Sequence, residues 1–241
     1  MMDPPSGLAG DPAAVVIVAG GRGERLGMPA KVLVPLAGRP MLAYALDAAQ
    51  AAAAVRDIVL VVGAHTRAGV VALLGTNVWT KVVAVVDGGE RRQDSVAAGV
   101  ATLSADVALV AIHDAARPLV EPALIEQCLA AAARTGAAIA AVPMTDTVKR
   151  VALDWVVATV PREDLWTAQT PQAFRRDVLV AAIAVGEAAG HEVTDEAGWC
   201  EALGVPVAIV TGSPTNLKVT RPADLTLAAA LLATRWAGRE P

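Results

Sequence analysis

The chemistry-bearing feature nearest the start of the chain is a glycine-rich loop that carries positive charge. An apolar run over residues 15–18 leads into AGGRGERL, residues 19–26. The glycines of this segment are Gly20, Gly21 and Gly23. Glycine lets backbone N–H groups approach an anion closely, so the loop suits phosphate. Arg25 and Lys31 could then meet a triphosphate where charge develops during phosphoryl or nucleotidyl transfer, although both could equally be solvated surface side chains.

The spacing of this loop excludes the two commonest phosphate-binding motifs. A dinucleotide fingerprint needs a third glycine where the chain has Leu26, and the Gly-Lys-Ser/Thr of a P-loop is absent. Pro29 interrupts any helix after the loop, and the strand-like run at residues 57–63 is followed by no acidic residue for a ribose. An NAD-dependent oxidoreductase is therefore disfavoured.

A second polar segment, DGGERRQDSV at residues 87–96, could recognise a base. Gly88 and Gly89 would let the backbone contact the edge of a flat ring, and Ser95 could form a hydrogen bond with it. Asp94 or Ser95 could instead be only the N-cap of the next helix. Both interpretations remain open on the residues alone.

A third segment, HDAARP at residues 113–118, places a carboxylate at the end of an apolar run. One carboxylate there can bind Mg²⁺, an ion that keeps most of its waters and bridges phosphate oxygens. Asp114 is that candidate, with a simple turn residue as the alternative. Arg117 could clamp a substrate phosphate, whereas His113 is expected to be a packed residue without an assigned role.

Two later segments complete the set of candidates. Thr194 opens TDEAG, which predicts a helix N-cap followed by acidic residues. Lys218 precedes a helix that Pro222 can open, and it is placed to add positive charge to the site.

The elements that must position these residues alternate along the chain. Short β-branched runs predict buried strands at residues 13–19, 57–63, 81–87, 106–114, 137–143 and 205–211. Helical spacing occurs at residues 40–54, 93–103, 121–135 and 174–189. This alternation predicts an α/β fold with a mainly parallel sheet and helices on both faces. Ligands of such sheets bind at the carboxyl ends of the strands, where the polar segments lie.

Residues 143–173 break this alternation. Two strand-like pieces, TVKRVA and WVVATV, are joined by Leu153-Asp154 and followed by a loop with two prolines. We expect a β-hairpin arm over residues 143–165 that projects from the sheet. Because an isolated hairpin is marginal in water, a second copy of the protein is an expected packing surface.

Composition limits the remaining possibilities. The 241 residues fit one domain, expected over residues 13–235, with disordered tails at 1–12 and 236–241. A net charge of −4 gives no broad positive field for nucleic acid or an anionic membrane. No apolar run reaches the ~20 residues of a membrane span, and no signal peptide is evident, so a cytoplasmic protein is expected. Cys128 and Cys200 are expected to be buried thiols.

Taken in order, seven segments resemble the 2-C-methyl-D-erythritol 4-phosphate cytidylyltransferase family over roughly residues 14 to 232. They are AGGRGERL, DGGERRQDSV, HDAARP, DTVKR, LWTAQTPQAF, TDEA and NLKVTRPADL. The glycine loop alone is shared by many nucleotidyltransferases, whereas the later segments in this order are specific. The resemblance implies a Rossmann-like nucleotidyltransferase fold, a homodimer held by the arms, and Mg²⁺-dependent transfer from CTP to methylerythritol phosphate.

The resemblance also implies roles for individual residues. Ala19, Gly20, Gly21, Gly23, Gly89 and Ser95 would hold CTP, while Arg25 and Lys31 would stabilise the transition state. Asp114 would serve the metal and the substrate. Arg117, Thr194 and Lys218 would line the substrate site from one subunit, and Thr147, Arg162 and Thr170 would reach it from the partner's arm. Arg162 and Lys218 join Arg25 and Lys31 as expected catalytic residues.

One departure from the family pattern keeps alternatives open. The family joins proline directly to the lysine, as Pro-Lys-Gln, whereas PAKV here inserts Ala30 and replaces glutamine with Val32. A nucleotide-binding homologue with impaired catalysis is therefore one alternative. A pentitol phosphate cytidylyltransferase acting on ribitol 5-phosphate is a separate alternative, because loops whose shape the sequence does not define build the polyol pocket.

Overall fold

The computed structural model describes residues 11–21, 30–76 and 78–237, and their elements alternate as the sequence predicts. The strands are β1 (Ala13–Ala19), β2 (Pro35–Leu36), β3 (Arg39–Pro40), β4 (Val55–Val62), β5 (Val82–Asp87), β6 (Leu109–Asp114), β7 (Ala137–Pro143), β8 (Val148–Ala152), β9 (Trp155–Val160), β10 (Trp166–Arg175) and β11 (Ala208–Thr211). The helices are α1 (Met41–Ala51), α2 (Ala64–Thr76), α3 (Arg92–Ala101), α4 (Pro122–Thr135), α5 (Arg176–Ala188), α6 (Glu196–Ala202) and α7 (Pro222–Ala237), with a 3-10 turn at Lys31–Leu33.

The main sheet has the order β11-β7-β10-β6-β1-β4-β5 among the described strands. All neighbouring pairs are parallel except those of β10, which runs antiparallel to both β6 and β7. The chain moves outward from β1 to β4 and β5, then returns to β6 on the other side of β1. Strand order therefore reverses at β1, and such a switch point is where open α/β sheets bind ligands.

Both faces of the sheet are covered, which explains why β1 is a continuous apolar run. Val15 and Ile17 point into a core shared with α1 and α4, whereas Ala14 and Val16 point into a core shared with α3, α5 and α6. Each fully buried valine or isoleucine contributes about 1.5–3 kcal/mol relative to exposure. Two-sided burial of this kind fixes the strand and places its carboxyl end rigidly.

β10 corrects the prediction of a loop before residue 173. It fills the position between β6 and β7, and its second half, from Gln172 to Phe174, is paired on both sides. Pro171 suggested a loop, but the register with β7 is interrupted between Ala168 and Gln172, where the missing N–H of a proline breaks no ladder bond. Because this strand also contains buried polar residues, its hydropathy does not identify it as a buried strand.

The predicted hairpin is present as β8 and β9, which form a two-stranded sheet of their own. Leu153 and Asp154 both have positive φ, 45° and 68°, as a two-residue hairpin turn requires. Apart from partly buried Val148 and Val160, the side chains of these strands are exposed, including Trp155 and Val157. We call residues 143–165 the arm.

The remaining predictions concern ends and helices. The helical spacing at residues 40–54, 93–103, 121–135 and 174–189 corresponds to α1, α3, α4 and α5. The helices expected after TDEAG and at Pro222 are α6 and α7, whereas α2 was not predicted. The predicted tails fall mainly outside the described residues, although α7 extends to Ala237 and Pro12 accepts a hydrogen bond from Ala108. Within the described residues, every helix is too short or too polar to traverse a bilayer.

Candidate active site

A cavity of about 660 Å³ opens at the carboxyl ends of β1, β4, β5 and β6. This is the edge at which the sequence predicts ligand binding. Among the described residues, its wall carries the cations Lys31, Arg91, Arg92 and Lys218 and the carboxylates Glu90 and Asp114. Three glycine-containing backbone segments also line it: Gly20 with Gly21, Gly63 with Ala64, and Gly88 with Gly89. A cationic, backbone-lined cavity of this kind suits a phosphorylated ligand.

The structure brings together seven of the predicted site residues. Gly20, Gly21, Lys31, Gly89, Ser95, Asp114 and Lys218 all line the cavity. Ala19 lies directly beneath it as the buried last residue of β1. Gly23 and Arg25 lie outside the described residues. Gly20 and Gly21, the described start of the glycine loop, thus share one site with Asp114 of the HDAARP segment because β1 and β6 are parallel neighbours.

Asp114 is the electrostatic centre of the cavity wall. The residue is 7% exposed, and its carboxylate accepts hydrogen bonds from Lys218 Nζ at 2.7 Å and Arg92 Nε at 3.1 Å. Burial would raise the pKa of Asp114, but the charges of Arg92 and Lys218 outweigh it and hold the pKa well below its usual range. The carboxylate is therefore ionised and orients both cations.

Arg92 and Glu196 are site residues that the sequence analysis missed. The Arg92 guanidinium bridges Asp114 to Glu196, donating to Glu196 through both Nη1 and Nη2. Arg92 lies in the DGGERRQDSV segment at the first turn of α3, and this position could have identified it as a site residue. Nothing near Glu196 in the sequence identifies Arg92 as its partner.

The DGGERRQDSV segment forms part of the cavity wall, from Gly88 to Arg92 and at Ser95. A Cβ on Gly88 would lie 2.5 Å from Ser95 Oγ, and one on Gly89 would lie 2.4 Å from Asp94 Cβ. Only glycine fits this close approach of β5 to α3, which leaves bare backbone facing the cavity. The N-cap of α3 is Arg91, not Asp94 or Ser95. The Asp94 carboxylate instead accepts from the Arg91 backbone N–H at 3.1 Å.

Lys31 reaches the cavity despite the inserted Ala30. Ala30 adopts φ 63° and ψ 36°, a left-handed conformation that turns the chain immediately before the lysine. The Lys31 ammonium donates to the Val219 carbonyl at 3.4 Å, beside Lys218 and Thr220 of the opposite wall. The altered PAKV segment therefore keeps a cation in the site.

A hydrogen-bond chain behind Asp114 contains His113 and Thr170. The Asp114 backbone N–H donates to Thr170 Oγ1 at 3.1 Å. The Thr170 hydroxyl in turn donates to His113 Nδ1, also at 3.1 Å. The opposite ring nitrogen donates to the Arg117 carbonyl at 3.3 Å. Burial lowers the pKa of His113 to about 4, so the ring is neutral at pH 7. Thr170 is thus a buried residue of β10, and its expected position in the arm is wrong.

Arg117 and Thr194 do not line the cavity. Arg117 donates from Nη1 to the Asn216 carbonyl at 2.8 Å, and burial lowers its pKa. Its Nε has no hydrogen-bond partner among the described residues. The side chain of Thr194 is exposed, and the predicted N-cap role is wrong, because Asp195 caps α6 by accepting from Gly198 N at 3.2 Å.

The arm residues lie apart from the cavity of their own chain. Thr147 immediately precedes β8, and Arg162 follows β9 and donates to the Thr145 carbonyl. Both side chains are exposed, and neither lines the cavity. Within a single chain, Thr147 and Arg162 therefore lie away from the cavity that Asp114 and Lys31 line.

The side chains present do not form a protein-held magnesium site. Both Asp114 oxygens already accept from cations, and the described residues contain no group of three or more His, Cys, Asp or Glu side chains able to hold a metal. Magnesium in proteins is commonly bound by one or two carboxylates together with substrate phosphates. The donor set fits an ion that arrives on a triphosphate, not one resident on the protein.

Fold and site together define a class: an α/β nucleotide-binding protein with a cationic phosphate site at the switch point of its sheet. The sequence profile described as IspD, 2-C-methyl-D-erythritol 4-phosphate cytidylyltransferase, matches residues 13–234. The chain belongs to this family.

Individual relatives agree with the profile. The chain is 45% identical over 231 residues to a 2-C-methyl-D-erythritol 4-phosphate cytidylyltransferase of Pelotomaculum thermopropionicum, with 93% of this chain and 96% of the relative covered. The protein of the same name from Frankia casuarinae is 47% identical, with 91% and 81% covered. The crystal structure of the Thermus thermophilus cytidylyltransferase superposes with a TM-score of 0.75 at 34% identity, covering 91% and 98%. The 4-diphosphocytidyl-2C-methyl-D-erythritol synthase of Anaerococcus prevotii gives 0.82 at 27%, covering 92% and 96%. The expected Rossmann-like nucleotidyltransferase fold is confirmed.

Proposed function

We propose that this protein transfers the cytidylyl group of CTP to 2-C-methyl-D-erythritol 4-phosphate. The products are 4-diphosphocytidyl-2-C-methyl-D-erythritol and pyrophosphate, in non-mevalonate isoprenoid precursor synthesis. Family membership over residues 13–234 carries this proposal. The cationic cavity at the switch point supports it, because a triphosphate and a phosphate acceptor both need positive charge and backbone donors.

The reaction needs charge neutralisation more than proton transfer. An oxygen of the acceptor phosphate forms a bond to the α-phosphorus of CTP, and the bond from that phosphorus to the bridging oxygen breaks to release pyrophosphate. The nucleophile is already an anion, so no general base is required. His113, buried and neutral, is hydrogen-bonded on both ring nitrogens and is not placed to act as one. Lys31, Arg92 and Lys218 supply positive charge in the cavity wall.

Roles are proposed for the described residues by position. Nucleotide contacts come from Ala19, Gly20, Gly21, Gly89 and Ser95. Lys31 stabilises the transition state, and Asp114 orients Lys218 and meets the substrates. Arg117, Thr170 and Thr194 belong to the acceptor side of the site. Because Thr170 is buried and Arg117 is half-buried, their contribution is to shape the wall behind Asp114.

We propose that the active unit is a homodimer in which each arm reaches the partner's cavity. The arm carries a cluster of exposed apolar side chains at Val151, Leu153, Trp155, Val156 and Val157. An apolar patch on a hairpin that lacks a core of its own favours burial against another chain. Thr147 and Arg162 would then complete the partner's acceptor site.

Magnesium is proposed as the cofactor, bound mainly by triphosphate oxygens. When bound, the ion would neutralise phosphate charge, and Asp114 of the cavity wall is the carboxylate that would meet it. A cytoplasmic location is proposed as well. The unpaired buried thiols of Cys128 and Cys200 are compatible with a reducing compartment.

A pyrophosphate-release assay tests the function directly. Purified protein, CTP and Mg²⁺ are combined with methylerythritol phosphate or ribitol 5-phosphate, and kcat/KM is measured for each acceptor. We expect release with methylerythritol phosphate to exceed that with ribitol phosphate by at least about tenfold, and EDTA to abolish it. A preference for ribitol phosphate would identify a pentitol phosphate cytidylyltransferase. CTP binding by calorimetry without turnover on either acceptor would identify a homologue that has lost catalysis.

A further inference from the structure

A chain of alternating charges runs from α6 through the cavity wall. Glu196 contacts Arg92, Arg92 contacts Asp114, and Asp114 contacts Lys218. The two end members, Glu196 and Lys218, lie 22 residues apart in the sequence, whereas the middle members, Arg92 and Asp114, belong to α3 and β6. Two carboxylates and two cations balance in charge. Of these four charged residues, Glu196 is the one that does not line the cavity.

Glu196 is almost completely buried against the Arg92 guanidinium. It is 1% exposed, and its Oε2 lies 3.1 Å from Arg92 Nη2, with the second oxygen contacting Nη1. A buried ion pair often stabilises no better than an apolar pair of the same volume. The bidentate geometry does, however, fix the plane of the guanidinium, which leaves Nε directed at Asp114.

The contact between Glu196 and Arg92, together with hydrogen bonds from two glutamine side chains, holds the segment before α6 against the nucleotide side of the site. Gln93, next to Arg92 on α3, donates to the His191 carbonyl at 3.3 Å and accepts from the Val193 N–H at 3.3 Å. From β10, Gln172 donates to Asp195 at 2.8 Å. Residues 191–196 are thus held against α3 and β10 at both ends.

We propose that Glu196 is a positioning residue for group transfer. It holds the Arg92 guanidinium in the cavity wall and, through it, the orientation of Asp114 and Lys218, and it docks residues 191–196 against α3. This inference rests on the proposed function, because it assigns residues 191–196 to the acceptor side. Nucleotide contacts from the glycine loop, Gly89 and Ser95 do not depend on Glu196.

Glu196→Gln tests this role, since the amide keeps the size of the side chain but removes its charge. We expect kcat to fall about tenfold to a hundredfold, because small misplacements of reacting groups lower reaction rates by factors of this size. The KM for methylerythritol phosphate should rise severalfold, and the calorimetric Kd for CTP should stay within about twofold. Glu201→Gln is the matched control, because Glu201 is an exposed residue of the same helix. It should leave all three values unchanged.

A paired replacement keeps the test decisive if Glu196→Gln does not fold. Arg92→Met with Glu196→Leu removes both charges together and leaves no unpaired buried ion. We expect this variant to be folded, to bind CTP and to turn over at least tenfold more slowly than wild type. Wild-type kcat in either folded variant would overturn the positioning role. Absence of product with the wild-type enzyme would instead overturn the proposed function, so the two failures are distinguishable.

Discussion

At the scale of single residues, the position of Lys31 shows how backbone conformation compensates for a changed motif. Ala30 has positive φ, a conformation that costs a non-glycine residue about 1–2 kcal/mol. The turn it makes directs Lys31 into the cavity beside Thr220. The sequence could not predict this, because alanine gives no signal for left-handed backbone. The departure from the family motif therefore does not by itself favour the catalytically impaired alternative.

His113 makes a pH-dependent contribution to stability. Its pKa in the folded chain is about 4 because burial disfavours the charged ring, against about 6.5 when unfolded. The unfolded chain therefore binds an extra proton between these values. The contribution is fully present above pH 6.5 and is lost as the pH falls towards 4. At pH 5 this linkage reduces the free energy of unfolding by about 2 kcal/mol relative to pH 8.

Urea unfolding at pH 8 and pH 5, in buffer with EDTA, measures this contribution. The comparison variant is His113→Gln, whose amide can still accept from Thr170 and donate to the Arg117 carbonyl. Carboxylates such as Asp114 titrate in both proteins, so only the difference between the two pH-induced losses reports on His113. We expect wild type to lose about 2 kcal/mol more than the variant. Equal losses would mean that the ring is accessible to protons in the folded chain.

The residues that were missed share one property. Arg92 and Glu196 are 104 positions apart, so only the tertiary structure pairs them. Gly89, Ser95 and Asp114 could be predicted because each lies at or shortly after the carboxyl end of a parallel strand, and parallel strands bring such residues to one edge. Position along an element is readable from a sequence, whereas a long-range ion pair is not.

At the scale of elements, β-branched runs identified the parallel strands, and proline concealed the antiparallel one. β10 contains Pro171 together with the buried polar residues Gln169, Thr170 and Gln172. Their side chains bond to neighbouring segments, including Asn216 and Asp195, so the strand is buried without being apolar. α2 escaped prediction for a related reason: its two glycines weaken the helical signal, and only Thr66 and Val70 of its side chains are buried.

The arm provides a prediction about assembly. Trp155 and Val157 are 77% and 56% exposed and both belong to β9, the second strand of the hairpin. Replacing both with glutamate puts two charges into the proposed interface and should weaken dimerisation at least about a hundredfold. Sedimentation velocity should then show a monomer at micromolar concentration, with unchanged far-ultraviolet circular dichroism.

Val83→Glu is the matched control for the arm variant. Val83 is 59% exposed on β5, at the opposite edge of the main sheet from β11. A charge on an exposed edge strand is well tolerated, so this variant should remain dimeric. Persistent dimers in the doubly substituted arm variant would show that the arm does not hold the two chains together.

At the scale of the whole molecule, the proposed assembly divides each active site between two chains. The cavity with Lys31 belongs to one chain, and Arg162 lies on an arm that leaves it apart from the cavity of its own chain. A site would then need Lys31 from one subunit and Arg162 from the other. This division makes mixed dimers of two inactive variants informative.

We expect Lys31→Ala and Arg162→Ala each to lower kcat at least about a hundredfold as homodimers, because each removes a positive charge that acts on the transition state. Subunit exchange at equal concentrations makes about half of the dimers mixed. In a mixed dimer, one site carries both substitutions and the other carries neither. Pyrophosphate release should therefore recover to about a quarter of the wild-type rate after exchange. If Lys31 and Arg162 acted within the same chain, every site would keep one substitution, and no activity would return.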